Sequence, residues 1–426
     1  MATINLSSPV FSQFIAPALP LIELCDCARH STELSDSHWL SLGLARCVEA
    51  HVSGRSFLQS LASHAPELCP ENTHFFESLK SKRRLSLNRE LNAHLCSLAR
   101  SILPDALSAF ACLNEFDVYA GDGHAIEHAC HDPRDSKSGD HLAVGHLYMR
   151  NLRTGTLSHL GVADQIERRK EHDMRGLKRA STDALRHGAP KGRKVLIVYD
   201  RAGIDIPQWY KWKQGSGLYM LSRCKENMNL IVVGTLSYDG KDSINAGVLA
   251  DELVGTATAG YCLRRVRFFD VGTSREFEFL TNLTDTSVLP GVLAQLYRMR
   301  WDIEKTFDEL KNKLEQKKAW ATSATAKNQQ AAFICLSFNL LLLLEHQLAQ
   351  QPQLRNKPED ERRAQRLKKL KHKARQANVE LPRTLLLTQR CTQIGVKFIR
   401  WVAAHLWKTL SLQQACIALA GLYARF

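Results

Sequence analysis

The chain has 426 residues, room for two or three domains with a large core. At 44% hydrophobic and 23% charged residues it is not a disordered chain. With 57 Lys and Arg against 43 Asp and Glu the net charge is +14, which points to an anionic polymer as partner, or in competition to an anionic membrane surface.

The 12 cysteines are scattered. Cys25 and Cys27 are the only close pair, poor spacing for zinc, and most of the others sit among apolar residues as buried thiols do. A reducing cytoplasm is therefore expected. The first 25 residues lack the basic start and unbroken apolar core of a signal peptide. The longest apolar stretch, 331–344, contains Ser337 and Asn339, is too short to cross a bilayer, and reads as a buried helix.

Residues 1–105 read as helical, with helix-like apolar spacing at 39–47 and 57–62. Within 75–98 lie Lys80, Lys82, Arg83, Arg84 and Arg89, which fit a DNA-binding surface or a solvated basic helix about equally. The character changes near residue 116. FDVYAGD (116–122) reads as a strand ending at Asp122; 141–150 and 156–163 follow as strands, and 164–186 as a helix. KVLIVYD (194–200) is a continuous apolar run ending in an acid, the pattern of a strand buried on both faces. From 218 to 283 the pattern is β-rich, broken by turn signals such as Asp239–Gly240.

Residues 296–314 read as one helix without Pro or Gly. Leu296, Met299, Ile303, Phe307, Leu310 and Leu314 make its apolar face. Beside them run Tyr297, Arg300, Glu304 and Lys311, at offsets of 3, 4 and 7 residues, so that all four point roughly one way. Taken alone, this stripe is a solvated charged face with an Arg300–Glu304 pair. An apolar helix follows at about 326–350. The run 354–376 is rich in Lys and Arg and reads as solvated or disordered, or as a track for phosphates on a DNA-binding chain. Residues 384–425 read as helical again.

Tyr297, Arg300, Glu304 and Lys311 spell Y-x2-R-x3-E-x6-K. In this the chain resembles the DDE-type insertion-sequence transposases of the fourth insertion-sequence family; Trp301 also looks like that family. The resemblance implies an α/β fold: a ribonuclease-H-like mixed-sheet catalytic core with a β-rich insertion, flanked by helical N- and C-terminal regions. Residues 1–105 would then be a candidate transposon-end DNA-binding domain, and 106–350 the catalytic domain with its insertion at about 215–285. Residues 351–426 would be a basic linker and a helical region, a candidate for dimerisation.

The resemblance further implies that Glu304 is the third catalytic carboxylate, after Asp122 and Asp200. Either aspartate alone is more simply a turn acid after a strand. Clustered carboxylates are hard-oxygen ligands suited to Mg2+, and two ions about 3.5–4 Å apart suit phosphodiester chemistry; Mn2+ can substitute. Tyr297, Arg300 and Lys311 are implied to contact DNA. Transposon-end and target DNA, a homodimer in a synaptic complex, and a cytoplasmic, nucleoid-associated bacterial setting away from membranes are implied with them. His124 and the sequence Arg201-Ala202-Gly203 depart from the family's usual residues after the two aspartates. His124, His128, Cys130 and His131 match no specific zinc motif; they are expected to hydrogen-bond around the first-aspartate loop, or His124 to lie near the metal site behind its ligands. Two rivals remain: an inactive DNA-binding relic, and a ribonuclease-H-fold nuclease that only hydrolyses.

Overall fold

The computed structural model describes residues 8–424 apart from 30–32, 50–52, 130, 133, 135–138, 140–143, 163–171, 257–259, 313, 315, 355–356, 383 and 387–392; for 309–312, 357–360 and 393–396 it describes the backbone alone. Strands β1 (Phe116–Ile126), β2 (Val144–Asn151), β3 (Leu157–Val162), β4 (Lys194–Val198), β5 (Leu218–Arg223), β6 (Leu230–Thr235), β7 (Val248–Thr256), β8 (Cys262–Asp270) and β9 (Arg275–Thr281) form one sheet in the order β3-β2-β1-β4-β5-β9-β8-β7-β6. β1 is antiparallel to β2, and β2 to β3; β4 runs parallel to β1, and β5 to β4. This is a ribonuclease-H-like mixed α/β fold. The strands of 215–285 make no separate sheet: β5 belongs to the parallel set, and β9 continues the sheet outward from it.

The period of two puts alternate residues of the sheet into two cores. Leu196 and Val198 of β4 join Val118 and Ala120 on one face; Val195 and Ile197 join Tyr119 and Met149 on the other. β4 is thus buried on both faces, as its unbroken apolar run requires. On the second face lie α6 (Asp173–Arg179), α7 (Thr182–Arg186) and α8 (Ile206–Ser216), which contribute Met174, Leu185 and Trp209 to its core. The expected single helix at 164–186 is corrected in its described part, 163–171 lying outside the described residues. Ala180 is extended and the Ser181 side chain caps α7 by accepting from the Ala184 N–H at 3.1 Å.

The first face carries α1 (Pro9–Ile15), α2 (Asp36–Glu49), α3 (Gly54–His64), α4 (Asn72–Ser78) and α5 (Lys82–Ile102). It also carries α9 (Pro290–Met299), α10 (Trp301–Asn312) and α11 (Ala324–Leu348). α11 is long and apolar enough to cross a membrane, yet it lies inside this core. Its buried Asn339 is satisfied there. Asn339 Nδ2 donates to Asn92 Oδ1 of α5 (2.9 Å) and to the Leu157 carbonyl of β3 (2.9 Å), while its Oδ1 accepts the Leu157 N–H (2.7 Å). Buried amides bonded this way fix register, which is how N-terminal helices, α11 and the sheet become one packed unit.

Two further expectations are corrected. The helix expected at 296–314 begins at Pro290 and breaks at Arg300, where hydrogen bonds shift to the three-residue step: Arg300 N–H to Tyr297 O (3.2 Å) and Ile303 N–H to Arg300 O (3.1 Å). β1 does not end at Asp122. Its parallel pairing with β4 stops at Ala120, but β2 pairs with it through Asp122↔Tyr148 to Ile126. The basic run forms a helix, α12 (Lys357–Gln376), seated by buried Ala374 and by Lys373 Nζ on the Gly272 carbonyl (2.7 Å). α13 (Gln393–His405) and α14 (Leu412–Ala424) pack together through Trp401, whose Nε1 donates to Ala415 O (2.8 Å).

Candidate active site

Asp122 stands one pleat beyond the last β1–β4 pair, between two glycines that permit close packing. A Cβ at Gly121 would lie 2.6 Å from the buried Tyr199 ring, and one at Gly123 would lie 2.7 Å from Asp173 Oδ2. Tyr199, the residue after β4's apolar run, donates its hydroxyl to Asp173 Oδ2 at 3.1 Å. Asp200 follows. Its Oδ1 accepts the Ala202 N–H (2.8 Å) and caps the turn Arg201–Gly203, while Ser222 Oγ on β5 holds its carbonyl (2.8 Å). The two aspartates therefore leave the same edge of adjacent parallel strands.

Glu304 comes in from the first turns of α10. Arg150 of β2, 7% exposed, anchors that turn: its Nη1 donates to Asp302 O (3.0 Å) and Thr306 Oγ1 (2.5 Å). Phe307, one turn on, stacks on His124 of β1 at 4.6 Å. Arg300 closes the arrangement. Its Nη2 donates to Glu304 Oε1 at 2.7 Å, and its Nη1 lies 3.6 Å from Asp122 Oδ2.

Asp122 registers the whole cluster. Burial pushes its carboxyl up to about 7; Arg300 pulls it down, and the charges of Asp200 and Glu304 push it up again. Burial is the largest of these effects, and Arg300 is the strongest charge acting on the carboxyl. Tyr199 is held well above the usual phenol range by burial and by Asp173, Asp122 and Asp200, and so stays a hydrogen-bond donor. Among the described residues, no three His, Cys, Asp or Glu side chains close into a ready metal cage. The donors are nonetheless the hard carboxylate oxygens that Mg2+ takes.

Structure and sequence-predicted residues compare as follows. Asp122 and Glu304 meet at Arg300, and Asp200 lies within electrostatic reach of Asp122. Tyr297 is buried against Phe279 (4.9 Å), with the Arg300 guanidinium 5.7 Å from its ring centre, so these two residues line the pocket rather than a solvated face. The backbone of Lys311 lies in α10; its side chain, and Cys130, lie outside the described residues. The His124 ring stacks on Phe307. Asp173 and Tyr199 were missed. Asp173 falls inside the span read as one helix, and its sole signal is its place directly after His172, which caps α6.

The family model of the transposase DDE domain matches residues 125–340, just over half of the chain. The match takes in Asp200 and Glu304 and begins just after Asp122. No curated protein matches the chain.

Proposed function

The chain belongs to the transposase DDE-domain family, and from that premise we propose that it cleaves DNA at insertion-sequence ends and joins the freed 3′ hydroxyl ends to target DNA by two-metal phosphoryl transfer. The observation that supports this reading is the Arg300 guanidinium set between Asp122 and Glu304, with Asp122 close enough to Asp200 and Glu304 to feel the charge of both. The Y-x2-R-x3-E-x6-K spacing supports placing the chain in the fourth insertion-sequence family.

Asp122, Asp200 and Glu304 would hold the Mg2+ ions, or Mn2+ in their place. When bound, such ions activate an oxygen nucleophile and stabilise charge on the phosphate. The protein's part is placement. Paired strands fix the aspartates, and Arg150 fixes the turn that carries Glu304. Tyr297 and Arg300 are assigned to a phosphate near the scissile end and Lys311 to the backbone, Arg as a planar fork and Lys as a point charge. The partners proposed are transposon-end and target DNA and a second copy in a synaptic complex, in the cytoplasm at the nucleoid.

Cleavage of end DNA tests this. Asp122→Asn, Asp200→Asn and Glu304→Gln should each lower Mg2+-dependent cleavage by at least about a thousandfold, the scale of metal-assisted catalysis, while end binding persists. Near-normal cleavage by any one removes that residue from the assignment. A relic would not nick at all. A simple nuclease would nick but fail to join precut ends to target.

A further inference from the structure

Arg300 sits in an odd place for a side chain assigned to DNA. It is 5% exposed, although the neighbouring Trp301 is 53% exposed. A guanidinium offers five N–H donors in a fork that matches two oxygens of one group. Here Nη2 has a good partner in Glu304, Nη1 has a long contact to Asp122, and the buried Nε has none. Arg300 is also the joint between α9 and α10.

Resting on the metal and DNA reading above, we infer that Arg300 is a placeholder cation. In the DNA-free chain it holds Asp122 and Glu304 together in place of a divalent cation, and a DNA phosphate draws it away, so that end binding and metal loading are coupled. The absence of a closed three-ligand cage among the described residues accords with a guanidinium lying between two of the carboxylates. A single positive charge keeps the carboxylates from repelling one another without supplying the coordination a metal would. A phosphate offers the fork two oxygens at once and gives the orphaned Nε a partner. By linkage, whatever DNA does to metal affinity, metal must do to DNA affinity.

The test is Mn2+ binding to the full chain, by calorimetric titration without DNA and then with a duplex carrying the element's own terminal repeat. Without DNA, Arg300→Gln and Arg300→Ala should bind Mn2+ roughly tenfold tighter than wild type, in the range of coupled sites. Arg300→Lys, which restores charge but not the fork, should fall between. Arg201→Ala is the control for bulk charge: Arg201 follows Asp200 but pairs with Glu226, 3.7 Å away. It should change little. DNA should tighten Mn2+ binding more in wild type than in Arg300→Gln. Affinity in Arg300→Gln equal to wild type, or an equal gain in Arg201→Ala, overturns the inference. A variant that melts early and is restored by Mn2+ supports it; one that Mn2+ does not restore counts against it. Asp122→Asn combined with Arg300→Gln separates the two readings. If it still binds Mn2+, the carboxylate site itself is wrong. If binding is lost but Arg300→Gln gains nothing, only the placeholder role fails.

Discussion

Asp122 is the residue on which the charge balance of the site turns. Its folded carboxyl keeps a proton to about pH 7, whereas in the unfolded chain it titrates near 4. Between those values the unfolded chain gives up a proton that the folded chain retains. The charged carboxyl therefore opposes folding increasingly from about pH 4 to 7, and fully above. Without metal, Asp122→Asn should raise the melting temperature by roughly a few degrees at pH 8 and hardly at all at pH 4. An equal effect at both pH values would contradict the burial of its charge. Gly121 makes the complementary point in sterics. A methyl there meets the Tyr199 ring at 2.6 Å and Met149 Sδ at 2.8 Å, both on buried side chains. Gly121→Ala should cost about 1–3 kcal/mol, as overpacking does, read as a lower denaturant midpoint with unchanged slope.

At the scale of elements, the placement of Glu304 depends on α10 being held to β2. Arg150→Ala removes a charged donor from Asp302 O and Thr306 and should destabilise the fold by about 1.5–3 kcal/mol. Arg150→Lys should recover only part of that, since an ammonium cannot keep the fork; full recovery on a thermal melt would deny the geometry any role. The elements that the sequence made legible are those with an unambiguous period: the apolar run of β4, the apolar face through Leu296, Met299, Ile303 and Phe307, and buried α11. What stayed hidden depended on partners distant in sequence. β1 runs past Asp122 because β2 pairs with it, and no local residue marks that. The break at Arg300 has no Pro or Gly to announce it. α8 went unread although Asp205 caps it, Pro207 opens it and Gly217 (φ 61°) ends it; Trp209, Tyr210 and Trp212 obscured its period. The positions of Asp200 and Glu304 were legible because the strand pattern brackets the one and the helix signature fixes the other. Asp173 and Tyr199 were not, because their meeting is purely tertiary.

For the molecule as a whole, the +14 charge is unevenly used. From Arg362 to Gln376, α12 carries no acid. Arg362, Arg363, Lys368, Lys369 and Lys371 are exposed, with no ion pair to another described residue. Like charges one turn apart repel, so a run of this kind is stabilised by an external anion. On a transposase, whose family implies DNA as partner, the phosphates of a duplex are such an anion. Changing Arg362, Arg363, Lys369 and Lys371 together to Gln should flatten the slope of log affinity for duplex DNA against log salt by up to about 3–4, measured by fluorescence anisotropy. An unchanged slope would leave α12 out of the interface. The central claim, that Asp122, Asp200 and Glu304 form a single metal-binding site, is tested most directly by Fe2+-directed backbone cleavage. Fe2+ would replace Mg2+, and ascorbate with peroxide would cut the polypeptide wherever the ion is held. The account predicts cuts in three segments together, near residues 122, 200 and 304, competed by Mg2+ and lost in Asp122→Asn; cuts in one of these segments alone, or cuts that survive that substitution, would contradict it.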